Sequence, residues 1–168
     1  MSLIGIAFSV AAFPVLSRVA ASGDRAMFGR VVRDNLVLVG ALSTVAGLAL
    51  ALVAEIAIRV MLGGEAFDAE DVAMTTTLLV AFAVSVPLES LTHVLARSVY
   101  ATRHTLLPVV ASVVGLAIVI VTLEALRGPE GLVAVPIAFA IGLATRVAIL
   151  AATLAWRTRA LPEVAAMP

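Results

Sequence analysis

The sequence contains no cysteine, two histidines and few charged residues. The absence of cysteine excludes disulfide bonds, thiolate metal sites and a cysteine nucleophile. Two histidines without a dense carboxylate cluster do not make a metal centre, so we predict neither a metal nor another cofactor. The formal net charge is zero, so no overall positive field attracts nucleic acid.

Apolar side chains are in excess instead: 62% of the residues are hydrophobic and 13% are charged. Soluble domains carry about 25% charged residues. The apolar residues form long runs, each near the ~20 residues that cross ~30 Å of hydrocarbon. We therefore predict an all-α, polytopic membrane helix bundle, with residues 1–168 as a single transmembrane domain. Its roughly five spans are 1–17, 35–55, 70–97, 105–124 and 131–156.

The arginines alternate between basic-rich and basic-poor gaps along the chain. In order, the gaps hold Arg18, Arg25, Arg30 and Arg33; Arg59; Arg97 and Arg103; Arg127; Arg157 and Arg159. Positive charge in short loops stays on the cytoplasmic side. The first, third and last gaps are therefore predicted to be cytoplasmic, with the N-terminus outside and the C-terminus inside.

Residues 24–34 are predicted to form a short amphipathic segment on the inner membrane surface. Met27, Phe28 and Val31 share one helical face, opposite arginines. Two readings stay open for this segment: a solvated linker helix that sets topology, or a contact with lipid headgroups.

Two further local signals concern the third span. Asp68 is followed by Glu70 and Asp71, which predicts an N-cap and first-turn carboxylates suited to the positive end of a helix. Pro87 lies inside the same span, and we expect it to kink the helix because proline cannot donate a backbone hydrogen bond.

Polar side chains within the spans are the candidate functional residues. Glu89, His93 and Arg97 recur every four residues and so lie on roughly one helical face. Glu89 lies about 26 Å, and Arg146 about 22 Å, from the outer ends of their spans. Because buried charge is costly, such groups face a partner or a water-filled cavity.

Three interpretations of these groups stay open. Glu89 and Arg146 form a structural ion pair, or Arg146, His93 and Arg97 line an aqueous cavity and bind an anionic substrate, or the side chains snorkel to the cytoplasmic interface. No catalytic residue is predicted, since Glu89 and His93 stand without a nucleophile or a metal triad.

Three stretches, Phe13–Asp24, Leu62–Asp71 and Arg97–Val109, resemble segments of the MviN/MurJ family of lipid II flippases, within the multidrug/oligosaccharidyl-lipid/polysaccharide exporter superfamily. They occur in the family's order and at span boundaries. The third stretch departs from the pattern, with Val99 for an aromatic residue and His104 for an acid. The resemblance implies part of the second of two helical lobes, and the family's pyrophosphate-binding arginines belong to the first lobe.

This resemblance implies a non-enzymatic transporter in the bacterial cytoplasmic membrane. Such a protein moves lipid-linked peptidoglycan precursor, lipid II, across the membrane by alternating access. The expected partners are lipid II, membrane lipids and an N-terminal lobe, present in cis or as a separate chain. Two alternatives are a polysaccharide-lipid or drug exporter of the same superfamily, and a non-transporting membrane module that pairs with a separate half.

Overall fold

The computed structural model describes residues 3–62, 67–102, 104–126, 128 and 131–160, and the regular elements within these ranges are helices. They are α1 (Leu3–Ser22), α2 (Arg25–Leu62), α3 (Ala69–Ala83), α4 (Ser85–Ala101), α5 (Leu106–Leu126), a short 3-10 helix (Gly131–Val133) and α6 (Ala134–Ala160). The predicted all-α helix bundle is confirmed.

The helix ends follow from local sequence. After α1, Gly23 adopts a φ of 75°, a left-handed conformation that glycine reaches without strain. Asp24 then caps α2 by accepting a 2.8 Å hydrogen bond from the Met27 amide. At α3 the predicted N-cap is confirmed: Asp68 accepts from the amides of Glu70 and Asp71 at 2.9 and 3.0 Å.

The third predicted span is divided into α3 and α4 close to Pro87, and the predicted kink itself stays a prediction. Helix α3 ends at Ala83 and α4 begins at Ser85, four and two residues before the proline. Pro87 lacks the N–H that would bond to the carbonyl of Ala83, four residues earlier, so the helical ladder is interrupted there.

Four segments of the described residues are long and apolar enough to cross a membrane: Arg25–Leu62, Ala69–Ala101, Leu106–Leu126 and Gly131–Arg159. They overlap the four later predicted spans. The first predicted span overlaps α1, which is not one of the four, and residues 1 and 2 lie outside the described ranges. That span stays a prediction.

Residues 25–34 are the first turns of α2 and run without a break into the second predicted span. The helix has 38 residues, or about 57 Å. Phe28 and Val32 are buried against α4 and α6 residues such as Val99 and Leu154, whereas Met27 is exposed. Phe28 and Val32 thus pack within the bundle while Met27 does not, and the placement of this segment at the inner membrane surface stays a prediction.

Helix α4 is the central element, packed against α1, α2 and α6, while α5 packs on α6 and α3 on α2. A buried cluster joins α1, α2, α4, α5 and α6 near the end of α1 and the start of α2; its largest members are Leu16, Phe28, Leu95, Leu150 and Leu154. The outer surface is also apolar, with Leu52 and Val60 about four-fifths exposed. Such a surface suits lipid tails rather than water.

Candidate functional site

The predicted polar residues of α4 and α6 are brought together around His93. Glu89, His93 and Arg97 lie along α4, and each is half-buried. Arg146 comes from α6, which packs beside α4, and is also half-buried. Glu89, Arg146 and Arg97 are the charged groups close enough to act electrostatically on His93. The α4–α6 packing therefore forms one mixed-charge group, which we call the His93 cluster: Glu89, His93, Arg97 and Arg146.

No direct salt bridge joins Glu89 to Arg146. Arg59 and Glu55 form an ion pair, an exposed one at 2.7 Å on α2, whereas Glu89 and Arg146 do not. The Nε atom of Arg146 is buried and has no hydrogen-bond partner. Any compensation between Glu89 and Arg146 in this structure therefore acts through space rather than through contact.

Arg146 also lines a crevice between α5 and α6, with a volume of about 180 Å³. The other lining residues are Ser112, Gly115, Leu116, Val119, Phe139, Gly142 and Leu143. Most of these side chains are apolar or absent, and the Ser112 hydroxyl donates to the carbonyl of Pro108 in its own helix. The crevice thus has one charged group on an apolar wall.

Glycines set the close approach of α5 and α6 at this level. A methyl group on Gly142 would lie 2.8 Å from the carbonyl oxygen of Gly115 and would overlap the Val119 side chain. Small residues at helix interfaces let backbones approach closely inside membranes. Sequence reasoning did not single out Gly115 or Gly142, although a glycine within a long apolar run is a signal for such an approach.

A second cavity, of about 520 Å³, lies between the ends of α1 and α4, and sequence reasoning also missed it. Its lining comes from Phe13, Ser17, Ala20 and Ala21 on α1 and from Tyr100, Ala101 and Thr102 at the end of α4. These residues belong to the first and third stretches of family resemblance. The motifs indicated the two stretches one at a time, and only the folded structure shows that they line the same cavity.

Tyr100 links this cavity to the His93 cluster by helical geometry. It lies seven residues after His93, which is two turns along α4 and so the same face. Its side chain is 39% exposed. The polar stripe that begins at Glu89 therefore continues to the end of α4.

Two further points concern metal-binding side chains and Arg103. Within the described residues no three His, Asp or Glu side chains gather as a metal site would require. Arg103 lies outside the described residues.

Apolar helices with a mixed-charge cluster between them define an α-helical, multi-span membrane protein. Residues 1–165 match the family described as lipid II flippase MurJ. The chain belongs to this family, as its motifs indicated.

A relative supports the same assignment. Over 118 residues, 70% of this chain, the sequence is 32% identical to the probable lipid II flippase MurJ of Bdellovibrio bacteriovorus. The matched part makes up 23% of that protein's length. No solved structure matches this chain significantly.

Proposed function

We propose that this chain is part of a transporter that moves lipid II across the bacterial cytoplasmic membrane by alternating access. The observation that carries the proposal is the family match over residues 1–165. The charged cluster within apolar helices adds a physical reason, since charge kept inside a membrane protein usually serves a substrate or ion path. Another lobe, in cis or as a separate chain, would complete the two-sided cavity.

Within this transporter, Arg146, His93 and Arg97 are proposed to meet the anionic part of the substrate. A guanidinium group can donate two parallel hydrogen bonds to a pair of phosphate oxygens, which suits a pyrophosphate. The support is the packing of α4, which carries His93 and Arg97, against α6, which carries Arg146. Glu89 would keep the local charge low when no substrate is bound.

The proposed reaction needs no enzyme chemistry. Movement of a lipid from one leaflet to the other breaks no covalent bond, so neither a nucleophile nor a general base is required. The site residues would bind and release the polar head, and the apolar outer surface would remain in lipid.

A hybrid protein tests the proposal. Residues 1–165 replace the matching segment of the Bdellovibrio bacteriovorus relative, and the hybrid is expressed in bacteria depleted of their own lipid II flippase. We expect growth to be restored and labelled lipid II to reach the outer leaflet. Residues 1–168 expressed alone should restore neither, since one lobe does not enclose a two-sided cavity.

Matched variants of the hybrid assign the site. Arg146→Gln and Arg97→Gln should lower lipid II transport at unchanged membrane abundance. Arg159→Gln, an exposed arginine at the end of α6, is the control and should transport normally. Normal transport by all three variants would contradict the assigned residues, and failure of a well-expressed hybrid would contradict the proposed function.

A further inference from the structure

The crevice between α5 and α6 has a charged end and an apolar end. On α6 its lining runs from Phe139 to Arg146, seven residues or about 10 Å along the helix. Val119 on α5 and Leu143 on α6 add to the apolar wall. A ligand that matches this lining therefore carries an anionic group next to a segment of hydrocarbon.

The crevice opens on the surface of the described bundle. Leu116 forms part of its lining and is 61% exposed. Both helices belong to segments long and apolar enough to cross a membrane, Leu106–Leu126 and Gly131–Arg159. In a bilayer such an opening lies at the level of hydrocarbon rather than water, so a lipid chain can enter it from the side.

The size of the crevice suits a short piece of such a chain. Its volume is about 180 Å³, and Gly115 and Gly142 contribute no side chain to fill it. An apolar cavity of about 150 Å³ takes one benzene molecule, so the crevice has room for roughly six carbon atoms. It holds the part of a lipid chain next to the head rather than a whole lipid.

Arg146 lies near the middle of its apolar segment, about 20 Å along the helix from either Gly131 or Arg159. Its Nε atom is buried and has no hydrogen-bond partner. The phosphate of a resident phospholipid lies outside a hydrocarbon core ~30 Å thick, about 15 Å from its centre. A phosphate thus comes level with Arg146 when a lipid leaves its leaflet, and a charge inside a membrane protein normally faces such a partner.

We propose that the α5–α6 crevice is a transit subsite for the transported lipid. Arg146 contacts the phosphate, and the first carbons of the lipid chain lie against Leu116 and Leu143. A guanidinium group suits this contact because it donates two parallel hydrogen bonds to phosphate oxygens. The inference rests on the proposed function, since a protein that moves lipids brings a phosphate to this depth.

Photoreactive lipids test whether the crevice is occupied. One probe is a polyprenyl pyrophosphate with a diazirine in the isoprene unit next to the phosphate, and the other is the polyprenol with the same chain and diazirine. The hybrid protein is illuminated with each probe in vesicles, and labelled peptides are identified by mass spectrometry. The pyrophosphate should label the crevice residues of α5 and α6. Arg146→Gln should lower that labelling about tenfold, toward the level of the polyprenol, as expected for loss of a charge-assisted hydrogen bond.

Leu116→Trp fills the crevice from its exposed rim. We expect labelling of the crevice and lipid II transport both to fall while membrane abundance stays unchanged. Leu52→Trp is the matched control, because Leu52 lies on α2, is 81% exposed and does not line the crevice. Both measurements should be unchanged in this control. If Leu116→Trp does not accumulate, Leu116→Phe makes the same test with a smaller ring.

Labelling confined to other helices of the hybrid, or unchanged in the variant that fills the crevice, would overturn the proposed subsite. Normal lipid II transport by that variant would overturn the transit role. So would equal labelling by a phosphatidylglycerol with a diazirine in its chain that Arg146→Gln leaves unchanged, since the crevice would then hold a resident lipid. Crevice labelling in a hybrid that moves no lipid II would leave the binding site standing and overturn the proposed function.

Discussion

The carbonyl oxygen of Ala83 lies against Gly47 so closely that a methyl group at position 47 would be 2.9 Å from it. This carbonyl is the one that Pro87 leaves without its helical donor. The break between α3 and α4 therefore faces a glycine of α2, and a glycine has no side chain to keep the carbonyl oxygen of Ala83 at a distance.

Gly47→Ala is expected to destabilise the bundle by about 1–3 kcal/mol, because the added methyl group overpacks against backbone that cannot turn away. Gly40→Ala on the same helix is the control, with a single ordinary contact to Leu91. The measurement is the thermal unfolding midpoint of the hybrid protein in detergent. Equal midpoints for the two variants would show that the contact between α2 and the end of α3 adjusts freely.

Ser90→Ala is expected to leave stability unchanged or to raise it. The Ser90 side chain is fully buried and its hydroxyl has no hydrogen-bond partner, so the hydroxyl is desolvated without compensation. Ser98→Ala is the comparison, since the equally buried Ser98 hydroxyl donates to the carbonyl of Val94 at 2.8 Å. The free energy of unfolding should fall more for Ser98→Ala, by about 1 kcal/mol or less, and its unfolding midpoint should be the lower of the two. A larger loss at Ser90 would indicate that its hydroxyl has a partner in the membrane.

Arg146→Ala is expected to preserve membrane abundance while lipid II transport falls, and adding Glu89→Ala should not restore transport. The reason is that Arg146 and Glu89 make no direct salt bridge, so removing one of them breaks no contact of the other. Abundance and transport are measured for both single variants and for the double variant. If each single variant loses protein and the double variant recovers it, the two residues are a structural pair, as in other broken buried pairs. Small, additive losses would favour snorkelling.

The arginine distribution predicts the orientation of the chain in the membrane. Reporter fusions after Arg30, Arg103 and Arg159 should report the cytoplasm, because positive loops stay inside. Fusions near Glu65 and Gly128 should report the exterior. The reverse pattern would mean that charge in these gaps does not set the topology.

Much of the architecture is predictable because it depends on neighbouring residues alone. The apolar runs mark the helices, and the side chains of Asp24 and Asp68 begin two of them through local capping bonds. Pro87 marks the break because its effect on the carbonyl of Ala83 is set by covalent structure. The family motifs likewise are strings of adjacent residues.

The packing of helices against one another is not predictable in the same way. In a membrane protein, residues that face lipid and residues that face another helix are both apolar, so hydropathy does not separate them. Phe28 and Met27 are neighbours in one amphipathic segment, yet the first is buried and the second is about half exposed. The pattern placed Met27 and Phe28 on one apolar face, and only the packing of the bundle separates the buried side chain from the exposed one.

The candidate site also has a part that the sequence predicts and a part that it does not. The four-residue spacing of Glu89, His93 and Arg97 is fixed by the sequence, because one helix carries all three residues. The place of Arg146 beside His93, and of Gly115 beneath the arginine stem, was decided only in the tertiary structure. Those contacts join residues of different helices and depend on how closely the helix backbones approach. The spacing of residues along one helix does not determine that distance.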